Sequence, residues 1–292
     1  MQRQSSERPA ITMSLPLHSG LPRIPDYHRL LQSNLFKSME DFSGSFLHSQ
    51  SRHLKRYQGK WVADPLHQWS RQWEYPYVFS RISDYAGNAR QESELRILDA
   101  GSGVTFFPYF LSSRFSNVIV SCCDYDFSLG EAYSRLNHCL GGRVRFVPGD
   151  LRSLPFQNNA FDIVYCVSVL EHTDAYQNIV SEFRRVLKPG GILIVTFDIS
   201  VDGEADIPVE KAEQLLGILY QHFPRSKQIA YANLRQEVHA QDLVTTRFIR
   251  QMNPRLLPWK YPLLAALKPL IKRRWPRALF RNLTFYCHSF DY

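Results

Sequence analysis

Three acids and two glycines stand out as residues whose types and spacing could do chemistry. Asp99, Gly101 and Gly103 lie in "ILDAGSG", where an apolar run meets a glycine turn. Glycines at such a place let the backbone approach a ligand closely and adopt a positive φ. A helix starting near Thr105 would aim its free N–H groups at the same space. A dinucleotide fingerprint would need a third glycine at 106, where this chain has Phe106. A carboxylate beside a pyrophosphate would be repelled by roughly 4 kcal/mol at about 4 Å and an effective dielectric near 20. Asp99 therefore favours a ligand bearing an ammonium or sulfonium group. Asp124 ends the second apolar run, "NVIVSCC", where an acid can hold two ribose hydroxyls. Asp150 follows the third run in "PGDLRSLPF" and can accept from an exocyclic amine, while the Leu151 amide can donate to an adenine ring nitrogen.

These residues need elements to hold them. From residue 95 the texture alternates, with strands predicted at 95–99, 117–123, 143–147, 161–167 and 191–197. Helices are predicted between them at 105–114, 128–140, 152–155 (short) and 174–187. Such alternation is the sequence form of a parallel sheet with crossover helices, and Val/Ile-rich runs without polar alternation fit strands covered on both faces. Acids at the carboxyl ends of three such strands would line the crevice where these sheets bind ligands. Upstream, residues 26 to 90 read as helices, with Asp26 and Asp64 as candidate caps and Pro65 in a first turn. Pro76 is expected to break or kink its helix. In "LKPGG", Lys188 suits a helix C-terminus, Pro189 stops the helix, and Gly190 and Gly191 turn the chain into the next strand. An acidic loop after 198 leads to a helix at about 207–223, and "NLTFYCHSF" reads as a last strand.

The 292 residues, 44% apolar and 21% charged, fit one large globular domain or one domain plus a small cap. Residues 1–25 read as an unstructured tail, since they hold no apolar core with a cleavage site. The late apolar run from Leu263 to Ile271 is too short to span a bilayer. Five cysteines, two of them adjacent and none in a CxxC pair, read as buried reduced thiols, which favours a cytoplasmic location. The net charge of +8 is uneven: residues 243–292 carry ten Lys/Arg against one acid, so any basic surface is local.

Taken together, the segments "ILDAGSG", "CCDYD", "GDLRSLPFQNNAFDIVYCVSVLEHT" and "FRRVLKPGGILIVTF" resemble the motif set of the class I S-adenosylmethionine-dependent methyltransferases of the small-molecule type. The likeness covers about residues 95–197. It implies a Rossmann-like α/β fold: a seven-stranded, mostly parallel sheet with helices on both faces, an N-terminal helical lid and a basic C-terminal extension. It implies S-adenosylmethionine as cofactor. Asp99, Gly101 and Gly103 would surround the methionine part, Asp124 the ribose with Asp126 in reserve, and Asp150 and Leu151 the adenine. Val167 would approach the methionine moiety or the sulfonium. Thr105 departs from the further glycine that the family often places there. Glu171 and His172 follow the fourth strand near where an acceptor would bind, and His172 is the candidate general base. The competing reading has both residues hydrogen-bonding neighbouring loops, because transfer from a sulfonium needs little acid–base help. Some ubiquinone-pathway O-methyltransferases use a Glu-x-x-Glu-His run near a metal, but Ser168 stands where the first Glu would be, so no metal is expected.

The implied organisation is a tail (1–25), a helical lid (26–90) and a methyltransferase domain (91–292), with core motifs at 95–197 and a substrate or cap region at 198–292. The aromatic stretch "QWEYPYVFSRI" in the lid either faces the sulfonium or packs on the sheet, and Arg81 is a candidate for the cofactor carboxylate. The expected partner is a small-molecule or lipid-like acceptor methylated on O or N. "CVSVLEH" in place of an Asn/Asp-Pro-Pro-aromatic run argues against nucleic-acid bases, though an RNA methyltransferase remains an alternative, as does a catalytically silent binding protein. Trp259, Trp275 and the basic residues of 256–281 suit peripheral contact with an anionic membrane, against the plainer reading of a folded subdomain with a basic rim.

Overall fold

The computed structural model describes residues 17–55, 64–88, 94–203, 207–224, 233–257 and 282–292. Of the segment expected to contact membranes, residues 258–281 lie outside the described residues, as does 1–16 of the expected tail. In chain order the strands are β1 (Leu95–Ala100), β2 (Val118–Asp124), β3 (Val144–Pro148), β4 (Phe161–Val167), β5 (Leu187–Ser200), β6 (Ile207–Pro208) and β7 (Leu283–Asp291). The helices are α1 (Ile24–Leu31), α2 (Asn34–Ser49), α3 (Ser51–Leu54), α4 (Arg71–Asn88), α5 (Phe107–Arg114), α6 (Leu129–Leu140), α7 (Tyr176–Val186), α8 (Val209–His222), α9 (Leu234–Glu237) and α10 (Thr246–Met252).

The strands form one seven-stranded sheet in the order β3-β2-β1-β4-β5-β6, with β7 also on β5. All pairings are parallel except β7, which runs antiparallel to β5 from Ile192↔Asp291 to Ser200↔Leu283. Side chains alternate between the faces of a strand, and neighbouring strand residues here fall into different apolar clusters. Ile97, Cys122, Ile163, Tyr165 and Phe285 join α1, α2, α4, α5 and α6 on one face. Leu98, Cys123, Val164, Cys166 and Tyr286 join α7 and α8 on the other. Both faces are covered, which is why the strands read as continuous apolar runs. Among the described residues, no helix is long and apolar enough to cross a membrane.

Several local expectations are corrected. Residues 17–23, assigned to the tail, are packed: Leu17 and Leu21 are buried, and Gly20 exchanges backbone hydrogen bonds with Cys287. Asp26 lies inside the first turn of α1, whose cap is Arg23. Asp64 does not start α4; its carboxylate takes the amide and ring nitrogen of His67 in a turn seven residues earlier. Pro76 does not end α4. Gln72 through Ser80 are all buried, and that packing offsets the roughly 3 kcal/mol a proline costs in a helix interior. The short helix predicted at 152–155 is a turn in which Asp150 and Ser153 form a backbone bridge.

"LKPGG" redirects the chain as expected: α7 ends at Val186, Gly190 takes a positive φ of 81°, and the β4–β5 ladder is irregular there, pairing Phe161 with Leu187 and then Ile163 with Ile192. Lys188 Nζ binds both oxygens of Asp162 at 2.8 and 2.9 Å, and Asp162 also takes the Arg96 amide at 2.9 Å. Gly191 then passes so close to β4 that a Cβ would lie 2.7 Å from the Asp162 carbonyl oxygen. Backbone cannot give way as a flexible side chain can. Gly191→Ala should therefore cost about 2 kcal/mol of overpacking strain in urea unfolding; an unchanged midpoint would contradict this close approach.

Candidate functional site

The carboxyl ends of β1, β2 and β3 are stitched together by hydrogen bonds. Asp99 is the penultimate residue of β1, opposite Cys122 of β2 and Tyr165 of β4. The chain then turns at Gly101, with φ of 79°, where a Cβ would sit 2.5 Å from a Val169 methyl. The Gly101 and Ser102 amides donate to the Cys123 carbonyl at 2.8 and 3.1 Å. Gly103 also has a positive φ, 51°, and its amide donates to Asp124 Oδ2 at 3.0 Å. Asp124 Oδ1 accepts from the Asp126 amide at 3.0 Å, and the Asp124 carbonyl takes the Gly149 amide at 2.9 Å. Asp99 and Asp124 thus stand at the ends of β1 and β2, and Asp150 two residues past the end of β3, along one edge of the sheet.

Burial gives Asp99 its character. It is 5% exposed. Desolvation pushes its carboxyl up to about 8, the Asp124 charge adds to the rise, and the Tyr165 hydroxyl and Arg71 oppose it. Asp150 is the contrast: its exposed carboxylate is held by Arg152 Nε at 3.0 Å to each oxygen, which keeps it below its usual range. Leu151 and Val167 are half-buried. Glu171 is buried in a short turn of 3-10 helix after β4, whereas the His172 side chain is exposed. Among the described residues, no cluster of three or more His, Cys, Asp or Glu side chains is arranged to hold a metal ion.

Sequence reasoning passed over a charged cluster supplied by α4. Glu74 is fully buried. It pairs with Arg71 through one oxygen and accepts hydroxyl protons from Ser168 at 2.8 Å and Thr196 at 2.5 Å through the other. Arg71 also donates to the Ser168 hydroxyl. The signal was present in "RQWEYPYVF", where Arg71 and Glu74 stand at i,i+3 in an otherwise apolar, aromatic stretch. Arg81, the expected cofactor partner, is engaged elsewhere, donating to the Leu17 carbonyl at 3.0 Å and lying over the Tyr77 ring. Arg71 is the α4 cation that acts on Asp99. Tyr75 stacks on Phe107 at 4.7 Å. A cavity of about 190 Å³, lined in part by Trp73, Leu234 and Tyr286, lies on the other flank of α4 and is not this crevice.

Residues 98–195 match the family model described as a methyltransferase domain. A sterol 24-C-methyltransferase of Gibberella zeae is 35% identical over 101 residues, which is 34% of this chain and 26% of that protein. The sterol 24-C-methyltransferase of Schizosaccharomyces pombe is 31% identical over 156 residues, covering 47% of this chain and 40% of that one. The chain therefore spans well under half the length of these curated relatives. Among solved structures, the [4+2]-cyclase SpnF aligns over 94% of this chain and 98% of its own at 21% identity, with a TM-score of 0.48. The matched segment is a class I methyltransferase domain, and the cofactor of such a domain is S-adenosylmethionine.

The residues present fit that cofactor. A buried carboxyl beside a glycine turn suits the cationic amino-acid end, and the adjoining acid suits a ribose. Nearby sulfonium and ammonium charges favour ionised Asp99, which is mostly protonated at pH 7 without them. Binding should then expel a proton, so affinity should rise with pH by up to about tenfold per unit below 8 and level off above it. Calorimetry at pH 7 in buffers of different ionisation enthalpy measures the release. A pH-independent affinity, or proton release that survives Asp99→Asn, would contradict this assignment.

Proposed function

We propose that this chain transfers the methyl group of S-adenosylmethionine to a small-molecule, lipid-like acceptor. The hydrogen-bonded row of turns carrying Asp99, Gly101, Gly103, Asp124 and Asp150 is the observation that carries the reading. In it, Asp99 and the two glycines receive the methionine end, Asp124 receives the ribose hydroxyls, and Asp150 with the Leu151 amide receives the adenine. Val167 approaches the sulfonium. The bound cofactor supplies an activated methyl group. The protein's work is to align the acceptor and exclude water, so an exposed His172 beside Glu171 needs only to take a proton from acceptors that carry one. The lipid-like acceptor is supported by the sterol methyltransferases among the relatives, whose likeness covers 34% and 47% of this chain. We assign cofactor binding to residues 95–197 and the acceptor to the N-terminal helices and residues 198–292.

Arg71 completes the cofactor site in this reading. The methionine end carries a carboxylate as well as an ammonium, and the half-buried Arg71 guanidinium, whose charge acts on Asp99, suits it. Removing Arg71 alone would strand the Glu74 charge, so the paired change Arg71→Met with Glu74→Gln is the usable variant. It should weaken S-adenosylmethionine about tenfold more than decarboxylated S-adenosylmethionine, the difference being one lost charge-assisted hydrogen bond. Equal losses for both nucleosides would remove Arg71 from the site. The function itself is tested by calorimetry with S-adenosylmethionine and S-adenosylhomocysteine, and by mass spectrometry of source extract for a product gaining one CH2. Wild-type protein that binds neither nucleoside, or an Asp124→Ala variant that binds them as well as wild type, would end the proposal.

A further inference from the structure

Ser168 is one of two non-glycine residues with a positive φ among the described residues, and it directly follows β4. Its φ is 48°. For a residue with a Cβ this left-handed region is unfavourable by about 1–2 kcal/mol, and it persists only where the surroundings over-determine it. Here they do. The Ser168 amide donates to the Thr196 carbonyl of β5 at 2.9 Å. The Ser168 hydroxyl donates to Glu74 Oε1 of α4 at 2.8 Å and accepts from Arg71. Thr196, which pairs with Val167 in the β4–β5 ladder, gives its own hydroxyl to the same Glu74 oxygen at 2.5 Å. Three elements far apart in the chain thus converge on one backbone conformation.

Nothing in the sheet requires that conformation. β4 ends at Val167, and the chain could leave it in an ordinary extended or helical form. What the left-handed residue sets is the direction of the peptide groups on either side of it, at the strand end beside the turn of Gly101 and Val169. We infer that Ser168 is a positioning residue: latched by Glu74, Arg71 and Thr196, it holds the end of β4 in the backbone form that S-adenosylmethionine requires. This rests on the cofactor reading above. The latch also explains why a carboxylate is buried in α4, since a neutral acceptor would not hold Arg71 against the same hydroxyl.

The test separates the hydroxyl from the backbone. In Ser168→Ala the latch is lost while the Cβ remains, so residue 168 relaxes out of the left-handed region and binding must force it back. Ser168→Thr keeps a hydroxyl but adds a β-branch that resists positive φ. Ser168→Gly has no latch and no penalty. Calorimetry with S-adenosylmethionine should show the Ala and Thr variants weakened about tenfold, the penalty of the left-handed region, with Gly close to wild type. A merely structural serine would give no such rescue, because Gly and Ala would lose alike. Gly as weak as Ala, or both Ala and Thr as tight as wild type, overturns the inference. If Ala does not fold, the comparison of Thr with Gly decides in the same way. Wild-type protein that fails to bind S-adenosylmethionine is a different result: it removes the cofactor reading itself.

Discussion

Glu74 has no exposure to water, and the rest of the site depends on how its charge is satisfied. Taking a carboxylate out of water costs several kcal/mol, recovered only if an opposite charge and further hydrogen bonds meet it with good geometry. The fold meets it with Arg71 from the same helix, Ser168 from the end of β4 and Thr196 from β5. Arg71 supplies the opposite charge, while the Ser168 and Thr196 hydroxyls both donate to the other carboxylate oxygen. α4 is consequently not a separable cover. It shares one apolar cluster with α5 and the sheet, and its polar contacts seat it over the carboxyl ends of β4 and β5.

That seating decides what faces the crevice. Arg71, Glu74, Tyr75 and Val78 lie on one flank of α4 by helical spacing. Once Glu74 is fixed on the sheet, Arg71 is brought to bear on Asp99, and Tyr75 meets Phe106 and Phe107 at the start of α5. The crevice then contains more carboxyl groups than cations. Such a balance repels phosphate and suits a ligand whose reacting end is positive, provided one guanidinium remains for any carboxylate it carries. The site's preference thus follows from packing as much as from the residues at the strand ends.

The strands and the acids at their ends were legible because local pattern decides them. Apolar runs of five to seven residues closed by Asp99 or Asp124 can hardly serve another purpose in an alternating chain. The latch was not legible, because its partners are 94 and 122 residues apart in sequence. Only the oddity of two charges in an aromatic helix face hinted at it. The misread local features share a cause. Pro76 carries a strong break signal, yet packing around α4 overrides it. Asp26 and Asp64 have the right type for caps, but the helices start where tertiary contacts begin. Arg81 was chosen over Arg71 because sequence cannot tell which flank of a helix meets the sheet.

Thr105 is where local pattern and tertiary contact meet most directly. By motif alone it is a departure, a side chain where the family often has glycine. In the fold its hydroxyl oxygen accepts from the Phe107 amide at 3.4 Å, at the start of α5. Tyr75 is buried, and its hydroxyl is pushed up to about 12, chiefly by desolvation. Glycine at 105 would remove the acceptor of the Phe107 amide at the start of α5. The departure and the aromatic helix meet at the start of α5, where Tyr75 stacks on the Phe107 ring and Thr105 accepts from the Phe107 amide.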